Sequence, residues 1–197
     1  MAPPRILLTV PVVARQADPA NWARRVELYV QAVRRAGGEP AMIDATAADH
    51  DRRAAFDTMD GLLLTGGADI DPRRYGQEPA GAQSVEPDRD ELEATAWQTA
   101  ATRDLPVLGI CRGFEAINVF SGGRLVQHVN GHRGVAWGEG SALTHPIRLV
   151  PGTRLARLLA TDDEVVVNSY HHQGIRPRDL APAWSPARSG ERPMKPS

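Results

Sequence analysis

The stretch Val107-Leu108-Gly109-Ile110-Cys111-Arg112-Gly113-Phe114 sets the chain's one cysteine between a short apolar run and a segment with helical spacing. The order is strand, G-x-C-x-G, helix, the sulfur counterpart of a serine nucleophile elbow. Such a turn carries the nucleophile out at the carboxyl end of a strand, and glycines on either side make room for tight packing. The following helix N-terminus would favour a thiolate, and the backbone N–H of Arg112 points where an oxyanion would form. The competing reading is a small buried hydrophobe, the commoner fate of a single cysteine. The flanking glycines and the strand-to-helix setting favour the nucleophile.

Two further clusters could act with it. Thr65-Gly66-Gly67-Ala68-Asp69 closes an apolar run, and paired glycines can turn backbone N–H groups toward an anion. Gly67 could so supply the second half of an oxyanion hole, though a plain loop entry explains the glycines equally well. The spacing is neither a dinucleotide nor a phosphate-loop fingerprint. Asn168-Ser169-Tyr170-His171-His172-Gln173 follows a late strand. Its histidines could bind substrate, ligate metal, act as base toward Cys111, or simply be hydrogen-bonded loop residues. No second cysteine and no H-E-x-x-H exist, which weighs against a metal. His128, His132 and His145 read as structural, and Asp88 and Asp90 as helix-start charges.

The elements that must hold these residues alternate between strand and helix. Ile6 to Val10, Ala41 to Ile43, Gly61 to Thr65 and Leu105 to Ile110 are short apolar runs of the kind buried on both faces. Helical spacing covers about Trp22 to Ala36, closed by Gly37-Gly38, then Arg52 to Phe56, then Asp88 to Arg103, opened by a D-x-x-E start close to a capping box. Phe114 to Phe120 follows the cysteine. Asp69 to Pro87 is a long Pro/Gly-rich loop, a length that points to function. Later, His145 to Val150 and Glu164 to Asn168 read as strands around a short helix from Thr153 to Leu159. The repeated units predict an α/β fold: a mostly parallel sheet with helices on both faces.

The chain has 197 residues, 42% apolar and 24% charged, with a formal net charge of −1. That suits one domain with a full core and gives no footing for nucleic acid or an acidic membrane. One cysteine excludes an internal disulfide and fits a reducing, cytoplasmic setting. The first apolar run is too short for a signal-peptide core or a membrane span. The domain is expected over 1–180. From Ala181 to Ser197 the chain is Pro-rich and without periodicity, and is expected to be a disordered tail. The oligomeric state is open and compatible with a homodimer.

Several motifs in register resemble a known family. They are Leu64-Thr65-Gly66-Gly67-Ala68-Asp69-Ile70-Asp71-Pro72 with Tyr75-Gly76-Gln77-Glu78-Pro79, Asp88-Arg89-Asp90-Glu91-Leu92-Glu93, Pro106 to Gly113, Asn118-Val119 to Gly122-Gly123, and Asn168 to Gln173. Together they resemble the class I glutamine amidotransferase-like superfamily, and within it the γ-glutamyl-γ-aminobutyrate hydrolase branch, the peptidase C26 group. The resemblance runs from the first strand to about Leu180. It implies a flavodoxin-like three-layer domain and a Cys-His-Glu triad. Cys111 would attack a γ-glutamyl amide and form a thioester, with the oxyanion held by backbone N–H groups of Gly67 and Arg112. Gly66, Asn168, Ser169, His171, His172 and Gln173 would line the substrate groove. The implied partner is a small γ-glutamyl substrate, with no metal or organic cofactor. The family's triad His and Glu come from a late Trp-His-Pro-Glu-like motif, which these residues lack. His145-Pro146 is followed by Ile147 and comes too early. The tail therefore reads as a truncation or shifted frame, and the last strands of the fold as missing. Three functions follow as expectations: a γ-glutamyl hydrolase weakened or inactivated by that loss, a non-catalytic binding or regulatory homologue, or a glutaminase subunit of an amidotransferase.

Overall fold

The computed structural model describes residues 2–132, 143–161 and 163–182. It divides into two compact units, residues 1–120 and 121–197. In the first, four parallel strands stand in the order β2-β1-β3-β4, with β1 Arg5–Thr9, β2 Glu39–Ile43, β3 Gly61–Leu64 and β4 Val107–Gly109. Leu8 pairs with Met42 on one side and Leu63 on the other, and Leu64 pairs with Gly109. This is the strand order of a flavodoxin-like sheet.

Side chains alternate across the sheet, which sorts the helices between its faces. Leu8, Val10 and Leu63 pack under α1 (Pro19–Arg35) against Val26 and Val30. Thr9 and Leu64 point to the opposite face. There Thr9 meets Glu93 of α3 (Pro87–Thr102), and Leu64 abuts Gly113 of α4 (Arg112–Phe120). Between them in sequence, α2 (Asp49–Thr58) follows β2. The expected three-layer α/β arrangement is the one observed.

Boundaries differ where a local start signal outranks apolar spacing. α1 begins three residues before Trp22 because Asp18 accepts a hydrogen bond from the Asn21 N–H at 3.0 Å and Pro19 takes the first helical position. α3 begins at Pro87, which takes the first helical position although Glu86 before it makes no side-chain cap, and Glu91 accepts from Arg74 at 2.6 Å rather than closing a D-x-x-E capping box. The long loop is built rather than slack. Asp71 caps a short turn over Pro72–Tyr75, and Asp69 accepts from the Gln83 N–H at 2.6 Å.

In the second unit, β5 (Leu143–Arg148) and β6 (Glu164–Ser169) form a separate antiparallel ribbon, from Leu143 opposite Ser169 to Arg148 opposite Glu164. They do not extend the parallel sheet. Both alternate exposed with half-buried positions, the pattern of a ribbon wet on one face rather than of a strand covered on both. Between them Thr153 caps the short helix α5 (Arg154–Leu159) through the Ala156 N–H at 3.2 Å. The expected tail lies, from residue 183 on, outside the described residues. No helix among the described residues is long and apolar enough to cross a membrane.

Leu8 is fully buried at the centre of the α1-facing core. Leu8→Ala is expected to lower unfolding free energy by about 2–5 kcal/mol, the range for leucine cavities, read from urea melts. A loss under about 1 kcal/mol would contradict this core.

Candidate active site

The polypeptide leaves β4 and turns sharply at Cys111, whose φ of 55° lies in the left-handed region. Such a conformation costs a non-glycine residue about 1–3 kcal/mol and persists only where the surroundings impose it. Here they do. The Ile110 N–H donates to the Leu64 carbonyl at 3.0 Å on one side of the turn. The N–H groups of Phe114 and Glu115 donate to the Cys111 carbonyl at 2.9 and 3.2 Å on the other. Both flanking glycines are sterically required. A side chain at Gly113 would overlap the Leu64 carbonyl, and one at Gly109 would overlap the Gly113 backbone. Cys111 itself remains exposed.

Gly66 and Gly67 lie beside this turn. A Cβ on Gly66 would stand 3.7 Å from that of Cys111, and the Gly66 N–H donates to the Tyr29 hydroxyl at 3.3 Å. A Cβ on Gly67 would collide with the Arg89 guanidinium and come within 3.3 Å of Arg112 Cδ. The structure thus brings Gly66, Gly67, Cys111 and Arg112 together.

Behind them is a cluster whose role the sequence reading missed. Arg89, Asp90, Glu93 and Arg112 are all buried. Arg89 Nε donates to Glu93 Oε1 at 2.9 Å, and Arg89 Nη2 donates to the Thr65 and Gly66 carbonyls, each at 3.2 Å. Arg112 Nη1 donates to Glu93 Oε2, and Nη2 to Asp90 Oδ1 at 2.5 Å. Thr9 Oγ1 donates to Glu93 at 2.8 Å, and the Asp71 N–H to Asp90 Oδ2 at 3.0 Å. Burial opposes the Glu93 charge, yet Arg112 and Arg89 hold its carboxyl below the usual range. Burial pushes Asp90 up, against the pull of Arg112. Asp90 is therefore no helix-start charge. Two residues earlier, Asp88 faces outward and accepts from Arg15 at 2.5 Å. The available signal was the Arg89/Glu93 pair, four apart on the helix face that also carries Leu92 and Ala96.

The protonation of the thiol departs from the sequence expectation of a stabilised thiolate. Crowding by protein atoms, and then the Glu115 carboxylate, push Cys111 up to about 11, against the Arg112 backbone N–H and Arg25; Asp69 adds to the rise. Glu115 is itself buried, and desolvation and Asp69 push it up to about 7, against Arg112. The helix terminus is outweighed by the protein atoms that crowd the thiol and by two carboxylates, although the residue as a whole keeps an exposed surface.

The late residues lie in the second unit. Ser169 and Gln173 are buried, His172 is nearly so, and Asn168 is exposed. Ser169 Oγ donates to the His132 carbonyl at 2.6 Å, and the Val129 N–H donates to the His172 carbonyl at 2.6 Å. Both amide atoms of Gln173 are buried without a hydrogen-bond partner. The histidines gather ring to ring: His128 with His172 at 5.4 Å, and His132 with His145 at 4.8 Å and with His171 at 5.3 Å. His128 and His132 are spaced His-x-x-x-His, a pair the sequence reading passed over. The segment is loop rather than helix, so the spacing does not put both rings on one face, and each has a different neighbour.

The peptidase C26 family model matches residues 10–187. This chain belongs to the peptidase C26 family. A Mycobacterium tuberculosis protein named "Putative glutamine amidotransferase Rv2859c" is 38% identical over 152 residues, covering 75% of this chain and 49% of that protein. This chain thus spans about half the length of that relative. Escherichia coli (strain K12) gamma-glutamyl-gamma-aminobutyrate hydrolase PuuD is 30% identical over 175 residues, covering 81% of this chain and 68% of the hydrolase. Among solved structures, the glutaminase domain of Trypanosoma brucei CTPS with bound acivicin superposes with a TM-score of 0.55 at 12% identity, over 87% of this chain and 67% of that one. At that identity the likeness speaks for the fold.

Two outcomes follow for this C26 site. Glu93→Ala leaves two buried guanidinium groups short of a partner and is expected to cost about 3–5 kcal/mol, measured by urea unfolding; an unchanged midpoint would contradict it. Glu115 is raised from its ordinary 4.5 to about 7 on folding, so stability is full below 4.5 and is lost as pH rises toward 7. Glu115→Gln should match the parent in unfolding free energy near pH 4 and exceed it at pH 8, by up to about 3 kcal/mol. An equal gap at both pH values would sink that assignment.

Proposed function

We propose that this chain is a cysteine-nucleophile hydrolase of γ-glutamyl amide bonds. The observation that carries the reading is Cys111 held at left-handed φ on a G-x-C-x-G turn beside Gly67. The C26 match and the hydrolase relative support the substrate class.

In this scheme Cys111 Sγ attacks the γ-carbonyl carbon and the thiol proton passes to a base. The carbonyl oxygen becomes an oxyanion, held by the backbone N–H groups of Gly67 and Arg112. Collapse breaks the C–N bond, the amine leaves with a proton, and a γ-glutamyl thioester remains on Cys111. Water then attacks the thioester carbon, releasing glutamate and restoring the thiol. Gly66 would line the acyl site, its Cβ position standing 3.7 Å from that of Cys111. The single cysteine must stay a thiol, which suits a reducing compartment such as the cytosol.

The resemblance draws the triad His and Glu from a Trp-His-Pro-Glu-like motif, and the 197 residues contain none. Turnover by this chain alone is expected to be low. A second reading is a non-catalytic binding homologue, favoured by the crowding and the Glu115 carboxylate that push the Cys111 thiol up to about 11, away from the thiolate at neutral pH.

Glutamate release from γ-glutamyl-γ-aminobutyrate and related amides by the purified chain tests the proposal. Release that falls to background in Cys111→Ala is the expected result. Equal release from the variant would remove Cys111 from the chemistry. No release together with γ-glutamyl ligand binding by calorimetry would establish the binding reading instead.

A further inference from the structure

Tyr29 stands on the apolar face of α1, in step with Val26, Val30 and Val33. Spacing alone makes it one more core residue, and its ring does pack against Leu8, Val10 and Leu63. The hydroxyl does something else. Just past the carboxyl end of β3 it accepts from the Gly66 N–H at 3.3 Å.

Gly66 also measures how near the phenol is to the cysteine. A Cβ on Gly66 would stand 3.2 Å from the Tyr29 hydroxyl and 3.7 Å from Cys111 Cβ. The space of one missing methyl group therefore has the phenol on one side and the cysteine on the other. The direction of the hydrogen bond decides what the phenol can offer there. The Gly66 amide donates, so the Tyr29 oxygen accepts and its own proton turns elsewhere. Among the described residues nothing accepts that proton. Hydrogen bonds in a chain polarise one another, so accepting from the amide makes the phenol a better donor. The ring is half-buried against the core, which fixes the donor before any ligand arrives.

We propose that Tyr29 is a catalytic residue of the candidate site, its hydroxyl donating to the acyl oxygen of a γ-glutamyl group bound at Cys111. This rests on the reading of Cys111 as the nucleophile in γ-glutamyl hydrolysis. To the backbone N–H groups of Gly67 and Arg112 it adds a third donor, from a side chain. The phenol keeps its proton throughout. Its hydrogen bond strengthens as the acyl oxygen gains negative charge and weakens when the C–N bond breaks. The site is then held from both faces of the sheet, by Arg89 and Arg112 on one and by Tyr29 of α1 on the other.

The test compares two reagents on the chain's one cysteine, each adduct read by mass spectrometry. The first, 6-diazo-5-oxo-L-norleucine, is a glutamine analogue whose ketone carbon takes the place of the γ-carbonyl carbon. The thiol gives its sulfur and its proton to the diazo carbon, nitrogen gas leaves, and a thioether ketone remains. The second, iodoacetamide, alkylates the same sulfur without occupying a γ-glutamyl site. Tyr29→Phe deletes the hydroxyl alone. It should slow labelling by the analogue about tenfold or more and leave the iodoacetamide rate within about twofold. A structural role would move both rates together, through folding or access. 3-Fluorotyrosine at position 29, a stronger donor and a weaker acceptor, separates contact from positioning. It should speed labelling by the analogue, whereas a hydroxyl that merely holds Gly66 would slow it. Equal labelling of the parent and Tyr29→Phe, or a fluorinated chain no faster than the parent, overturns the proposal. Should Tyr29→Phe lose its cooperative melt, the fluorinated chain decides. A parent that the analogue leaves unlabelled while iodoacetamide reacts ends the γ-glutamyl reading and this one with it. Equal labelling ends this one alone.

Discussion

Two guanidinium groups and two carboxylates lie in the interior of the first unit, and nearly everything about the elbow depends on their mutual neutralisation. Taking such groups out of water costs several kcal/mol each, and attraction offsets this only when geometry and hydrogen bonding are good. The hydrogen bonding here is extensive. Glu93 receives from Arg89, Arg112 and Thr9, and Asp90 from Arg112 and the Asp71 N–H. Even so, Arg112 Nε is buried with no partner. An apolar core could be as stable. What the charges add is directional fixing of two separate backbone segments.

Those segments are the two sides of the candidate site. Arg89 grips the carbonyls of Thr65 and Gly66, and Arg112 anchors the first residue of α4, immediately after Cys111. Glu93 joins the two arginines. One helix, α3, therefore holds both the Gly66-Gly67 segment and the cysteine turn. This explains why Gly67 tolerates no side chain: the space a Cβ would take is filled by Arg89. Before and after the turn, Leu108 of β4 and Phe114 of α4 are exposed at 59% and 51%, as is the cysteine between them.

How much of this was legible in sequence follows from the range of the interactions. The elbow could be read because its requirement is local: two glycines, a cysteine, a strand before and a helix after. The parallel sheet could be read because its strands are continuous apolar runs. Asp90 could not, since it differs from Asp88 only in which side of α3 it occupies, and its partner Arg112 is far along the chain. The inner face of α3 carries Arg89, Asp90 and Glu93 beside Leu92 and Ala96, so apolar spacing marks only half of it. The high thiol value was hidden for the same reason. A helix N-terminus is visible in sequence, whereas the approach of Asp69 from another loop and the burial of Glu115 are products of folding. The two strands of the antiparallel β5–β6 ribbon could be read as strands, but not their pairing, because alternation alone does not state a strand's partner.

The close approach of β3 and α4 also limits how this site can drift. A side chain at Gly113 would meet the Leu64 carbonyl, and one at Gly109 would meet the Gly113 backbone, so any substitution at either position must push a strand and a helix apart. The exposed cysteine between them carries no such restriction. The frame of the turn is therefore harder to change than the residue it presents.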